Sequence, residues 1–113
     1  ANMCRASKVS AEIFPDRVPA ISDEIFELIE RGCIPGGTRD NLKAATKTAD
    51  LKSARLLRRT LLTDAQTSGG LLLSVSESAL PKVLRILKKV RTPCAVVIGH
   101  ITRRRSKLIC ATK

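Results

Sequence analysis

Aromatic side chains are almost absent from this sequence. Its 113 residues include no Trp, no Tyr and two Phe, which are Phe14 and Phe26. Proteins that bind single-stranded nucleic acid usually stack bases on aromatic rings, so this composition disfavours that class. The sequence also lacks an apolar run near the ~20 residues of a membrane span, and its first ten residues lack the apolar block of a signal peptide. We therefore expect a cytoplasmic protein that does not enter a membrane.

The sequence also lacks a zinc-binding motif. His100 is the single histidine, and no two of the four cysteines have the CxxC spacing of a zinc site. We expect no metal site, and we expect His100 to lie on a strand surface because no nucleophile stands beside it. The cysteines are predicted to be reduced thiols, mostly in or near the core: Cys4, Cys33, Cys94 and Cys110.

Acidic residues are rare in the second half of the chain. Residues 1–50 hold seven Lys and Arg against eight Asp and Glu, a net charge of −1. Residues 51–113 hold fourteen Lys and Arg against Asp64 and Glu77, a net charge of +12. Such asymmetry indicates attraction to polyanions such as nucleic acid, nucleotide phosphates or an acidic partner. The alternative is a basic face that only contacts water.

The apolar periodicity predicts helices and strands that alternate along a single domain. The run at residues 71–75 is nearly all apolar, which is typical of a strand covered on both faces. Residues 95–102 and 107–112 predict an antiparallel hairpin around a basic turn, and residues 47–52 predict a loop. The predicted fold class is α/β (α+β), a mixed sheet packed with helices. Further elements are a strand at 11–14 and helices at 1–7, 23–31, 38–46, 53–62 and 78–90.

Two segments carry paired glycines, residues 36–41 (GGTRDN) and residues 66–70 (QTSGG). Glycines let backbone N–H groups approach an anion closely, and a helix capped by Thr38 would add its positive dipole end. Neither segment has the GK[ST] pattern of a P-loop. Asp40 and Asp64 could assist a metal-bound phosphate or act as turn and cap residues. The alternative for both segments is a surface turn with capping hydroxyls.

The two glycine segments belong to longer motifs that resemble a known family. GCIPGGTRDN at 32–41 and DAQTSGGLLLSV at 64–75 are similar, in order and spacing, to motifs in the C-terminal half of selenophosphate synthetases (selenide, water dikinases). This family is related to aminoimidazole ribonucleotide synthetase. RASKVSAEI at 5–13 and AVVIGHI at 95–101 resemble the flanking segments, so the resemblance covers nearly the whole chain. Two departures are Ala65, where many members have proline, and the short, lysine-bearing stretch 47–53, where relatives often carry a longer insert.

The resemblance implies a reaction that this chain would not complete alone. ATP, selenide and water would give selenophosphate, AMP and phosphate, and selenophosphate is the selenium donor for selenocysteine synthesis. Residues 1–113 would be a single C-terminal α/β domain, N-terminally truncated. The absent N-terminal domain would bind most of the ATP and Mg²⁺, form the homodimer and supply the catalytic residues. This fragment would then contain no catalytic and no metal-binding residue.

The same resemblance implies which residues face the cleft between the two domains. They would hold phosphate or shape the cleft, and they are Gly36, Gly37, Thr38, Asn41, Thr67, Ser68, Gly69 and Gly70. A different hypothesis is a basic nucleic-acid-binding α/β module. Because aromatic residues are scarce, such a module would bind the phosphates of a duplex and not the bases of a single strand. A third is a small interaction domain without chemistry, which would leave the glycine segments unexplained.

Overall fold

The described residues form five α-helices, two short 3₁₀ helices and four strands, and the predicted fold class is confirmed. The structure, a computed structural model, describes residues 1–66 and 69–112. The helices are α1 (Asn2–Ala6), α2 (Glu24–Glu30), α3 (Gly36–Ala45), α4 (Leu56–Leu62) and α5 (Leu80–Lys89). The strands are β1 (Ser10–Ile13), β2 (Ala49–Asp50), β3 (Gly99–Thr102) and β4 (Ile109–Ala111). Within the described ranges, none of the helices is long and apolar enough to cross a membrane.

The four strands form one mixed sheet in the order β2-β4-β1-β3. β1 is antiparallel to β3, with Glu12 opposite His100, and parallel to β4, with Glu12 opposite Cys110. β2 pairs with β4 in parallel. The predicted hairpin of the last two strands is therefore wrong, because β1 lies between them.

Ser10 explains how β1 comes to separate β3 from β4. Its side chain is fully buried, and its Oγ donates to the carbonyl of Lys107 at 3.0 Å. The same Oγ accepts from the backbone N–H of Arg105 at 2.9 Å. The connection from β3 to β4 is thus bonded to the first residue of β1. A buried hydroxyl needs such partners, so the serine holds the connection across the end of its own strand.

The segment at residues 71–75 is not the strand that its composition predicts. Leu71 is 94% exposed, and Leu72 and Leu73 are also more than half exposed. Apolar, β-favouring composition is insufficient where no neighbouring strand offers a hydrogen-bond ladder, and the four described strands pair only among themselves. The related prediction of a strand from residue 95 is correct only from Gly99 onward, and β2 lies within the stretch predicted to be a loop.

Arg58 joins α4 to the segment that follows β1. Its Nη1 donates to the carbonyl of Val18 at 2.9 Å, and its Nε lies 3.4 Å from Asp16 Oδ1. The guanidinium carbon also lies 4.6 Å from the centre of the Phe26 ring on α2. One cation therefore contacts a carbonyl, a carboxylate and a ring face, the combination that a planar guanidinium serves best.

The exposure of the cysteines corrects one prediction from the sequence, and the exposure of the histidine confirms another. Cys4 is buried and Cys110 half-buried, but Cys33 and Cys94 are exposed, so the prediction of mainly core thiols is wrong for two of the four. Cys33 lies just after the turn that follows α2, and Cys94 lies in the loop between α5 and β3. His100 is exposed on β3, as predicted, with its Nε2 3.1 Å from Glu12 Oε2.

Gly99 marks the closest backbone approach in the sheet, and its substitution tests the β1–β3 pairing. A Cβ at this position would collide with the carbonyl oxygen of Glu12 and lie 3.0 Å from the Cα of Ile13. We expect Gly99→Ala to lower the free energy of unfolding by about 1–3 kcal/mol, measured by urea denaturation. Gly70→Ala is the matched control, since a Cβ there meets no atom within 4 Å. Wild-type stability of Gly99→Ala would contradict this pairing.

Candidate functional site

The first glycine segment forms the opening turn of α3. Pro35 precedes the helix in an extended conformation (φ −56°, ψ 144°), and α3 begins at Gly36. The N–H of Thr38 donates to the carbonyl of Pro35 at 3.0 Å, so Thr38 lies inside the first turn. The prediction that Thr38 caps the helix is therefore wrong. Proline and two glycines begin the helix without a side-chain cap, which leaves the threonine hydroxyl free for a tertiary contact.

That contact is a buried hydrogen bond between Thr38 and Asp64. Thr38 is 1% exposed, and its Oγ1 donates to Asp64 Oδ1 at 2.7 Å. The same Oγ1 accepts from the backbone N–H of Ala65 at 3.3 Å. The hydroxyl thus uses both its donor and an acceptor lone pair on the residues that begin the second motif. A short hydrogen bond to a carboxylate is of the stronger type.

Two further contacts lie beside this bond. The Asn41 side-chain amide donates from Nδ2 to the carbonyl of Thr63 at 3.1 Å. Asn41 follows Thr38 by three residues, so the two side chains lie on one helix face. A Cβ on Gly37 would be 3.4 Å from the Cβ of Ala65, which is ordinary close contact. The two predicted motifs therefore meet where α3 begins and α4 ends.

The second glycine segment is described only in part. Thr67 and Ser68 lie outside the described residues. Gly69 and Gly70 are exposed, and a Cβ on Gly69 would lie 3.1 Å from Gln66 Oε1. The structure thus brings Gly36, Gly37, Thr38 and Asn41 to the start of the second motif, and the bonding described here extends along that motif to Ala65.

Comparison with known sequences agrees with this pair of motifs. The family described as AIR synthase related protein, C-terminal domain, matches residues 1–111. This chain belongs to that family. The resemblance stated from the sequence is confirmed.

The curated relatives are much longer than this AIR synthase related domain, which spans about a quarter to a third of their length. Selenide, water dikinase of Haemophilus ducreyi is 38% identical over 90 residues, covering 80% of this chain and 25% of the relative. The protein of the same name from Sulfurimonas denitrificans is 36% identical over 109 residues, covering 96% and 31%. That from Clostridioides difficile is 33% identical over 108 residues, covering 95% and 31%.

In this AIR synthase related domain, the site provides backbone groups rather than an acid or base. Thr38 is buried and bonded to Asp64, and the exposed Asn41 donates its amide to the carbonyl of Thr63, so both side chains position the turn. The first N–H groups of a helix have no intrahelical partner, and here they belong to a turn of exposed glycines. Arg39 adds an exposed positive charge next to them. This arrangement can attract an anion.

The described residues of this domain include no set of side chains that could bind a metal ion. Across residues 1–66 and 69–112, no group of three or more His, Cys, Asp or Glu side chains could hold a metal ion. Asp64 is one of two residues, with Asp40, whose role the sequence left open between assisting a metal-bound phosphate and acting as a turn or cap residue. Its carboxylate accepts the Thr38 hydroxyl, so it anchors the site. In the sequence, Asp64 stands out because it is one of only two acidic residues in the basic half of the chain.

An apolar groove of about 380 Å³ lies behind the site, between α2, α3 and α4. Aliphatic side chains predominate in its lining, so the groove is suited to packing and not to phosphate. Thr38 and Arg39 stand at its edge, which links the opening turn of α3 to this packing surface. Its aliphatic lining residues are Ile29, Ile34, Leu42, Leu56 and Leu57.

The Thr38 hydroxyl can be tested by removing it without changing the volume of the side chain. We expect Thr38→Val to lower the free energy of unfolding by about 1–3 kcal/mol, because it leaves the Asp64 carboxylate without its donor. Thr38→Ser keeps the hydroxyl and should retain most of the stability. Urea denaturation of the three proteins measures both changes. Equal stability of the valine and serine variants would show that the hydroxyl contributes nothing.

Proposed function

We propose that this chain is the C-terminal domain of a selenide, water dikinase. The observation that carries the proposal is the 36% identity to the Sulfurimonas denitrificans protein of that name over 96% of this chain. A match of that length necessarily includes both glycine segments. The parent enzyme would convert ATP, selenide and water into selenophosphate, AMP and phosphate in the cytoplasm. Selenophosphate would then serve as the selenium donor for selenocysteine synthesis.

In this proposal the residues of the chain position one wall of the cleft. The bonds from Thr38 to Asp64 and from Asn41 to Thr63 hold the opening turn of α3 against the end of α4. The glycine N–H groups of that turn attract phosphate oxygens through the positive end of the helix dipole. In the same proposal, the second set of residues that contact the cleft is Thr67, Ser68, Gly69 and Gly70. Holding and orienting a phosphate is the contribution expected from such a wall.

The N-terminal domain of the parent would do the remaining work. ATP and Mg²⁺ would bind mainly there. The same domain would form the homodimer and supply the nucleophile. No step of the reaction is assigned to the four cysteines here, and this chain by itself should be inactive.

Phosphorus NMR of the full-length parent with ATP, Mg²⁺ and selenide tests the proposed reaction, with this chain measured alongside. The proposal predicts selenophosphate and AMP from the parent and no product from the chain alone. Intact ATP, or hydrolysis that proceeds equally well without selenide, would rule out the assigned substrate.

The role of the cleft wall can be tested in the same assay. We expect Thr38→Val combined with Asn41→Ala in the full-length parent to lower kcat/KM by about 10- to 100-fold, because misplaced contact groups cost rate without any change of reactive group. Lys43→Ala, an exposed change in the last turn of α3, is the control and should leave the rate unchanged. Wild-type turnover in the double variant would show that the first glycine segment is only a structural turn.

A further inference from the structure

Helix α5 presents a row of positive charges to solvent. Lys82, Arg85 and Lys89 are exposed, and their spacing of three and four residues puts them on one face of the helix. Lys88 is exposed on the flank of this row. The opposite face is half-buried and carries Leu80, Val83, Leu84 and Leu87. The fold thus orients α5 with its basic face outward.

The charge of this face is not neutralised by the rest of the described chain. No Asp or Glu follows Glu77 in the sequence. The ion pairs of the described residues join Arg58 to Asp16, and His100 and Arg105 to Glu12, so none of them involves α5. Arg91, just beyond the helix, is exposed and adds to the same region. A cluster of this kind raises the local concentration of polyanions.

We propose that α5 binds the phosphate backbone of duplex nucleic acid without regard to sequence. From Lys82 to Lys89 the helix rises about 10 Å, an axial length that holds about three phosphates of one strand of B-form DNA. Lysine and arginine contacts of this type supply sequence-independent affinity, in which bound counterions are released. This binding goes beyond the proposed dikinase reaction and uses none of the cleft residues.

The remaining surface favours a duplex over a single strand or a lipid bilayer. Phe14 and Phe26 already lie against Arg17 and Arg58, at 4.8 Å and 4.6 Å from guanidinium carbon to ring centre, so they do not offer a stacking platform. Binding to a bilayer requires an apolar helix face that is free to enter it. On α5 the apolar residues Leu80, Val83, Leu84 and Leu87 are half-buried, and Ile86 is the large aliphatic residue that is exposed, with exposed Val90 directly after the helix.

Fluorescence anisotropy with a labelled, random-sequence DNA duplex over a range of salt concentrations tests the proposal. With three phosphate contacts, the logarithm of the association constant should fall with the logarithm of salt concentration at a slope of about −3. Removing three contacts in Lys82→Ala/Arg85→Ala/Lys89→Ala should remove about one unit of slope per residue. The control Arg31→Ala/Lys43→Ala/Lys47→Ala loses the same charge at exposed positions elsewhere and should keep the wild-type slope.

Three results would overturn the proposal. One is the absence of duplex binding at low salt. Another is an equal loss of slope in the α5 variant and the control, which would mean that binding depends on the net charge of the protein and not on α5. The third is tighter binding to phosphatidylglycerol vesicles than to the duplex through the same three residues, which would make α5 a lipid-binding surface. The assay contains neither ATP nor selenide, so its outcome is independent of the proposed function.

Discussion

The hydrogen bond between Thr38 and Asp64 is the constraint on which the site depends. A threonine at 1% exposure cannot leave its hydroxyl without a partner, and the 2.7 Å contact with the carboxylate satisfies it. Because the two residues are 26 positions apart, this contact, together with the bond from Asn41 to Thr63, holds the start of α3 against the end of α4. The glycine turn lies at the surface directly beside this buried bond. Rigid support beneath an exposed turn is what a ligand-contacting loop requires.

A second organising feature is the division of charge along the chain. The acidic first half includes α2 and the glycine turn, and the basic second half includes α5. The site that the family suggests lies where α3 meets the end of α4, with Arg39 as its exposed cation. The basic face of α5 lies on a different element. The two regions proposed to attract anions therefore differ in construction, since one is built from backbone groups and one from long cationic side chains.

Local pattern in the sequence predicted most helices and the strand at β1, and the resemblance to a family pointed to the two glycine motifs. These features depend on residues close together in the chain or on the resemblance to a family. Strand order was not predictable in this way, since pairing depends on contacts distant in sequence. β1 shows the reason: it pairs with β3 and with β4, and its Ser10 bonds to Lys107, 97 residues away. The exposed segment 71–75 shows the converse, because its strand-like composition found no partner among the described strands.

A double-mutant cycle on the Thr38–Asp64 pair tests the central claim most directly. Thr38→Val, Asp64→Ala and the double variant would be compared with the wild type by urea denaturation of this chain. A buried hydrogen bond to a carboxylate predicts a coupling free energy of about 1–3 kcal/mol between the two positions. Additive effects, within about 0.5 kcal/mol, would show that the two side chains do not interact and that another contact joins the motifs.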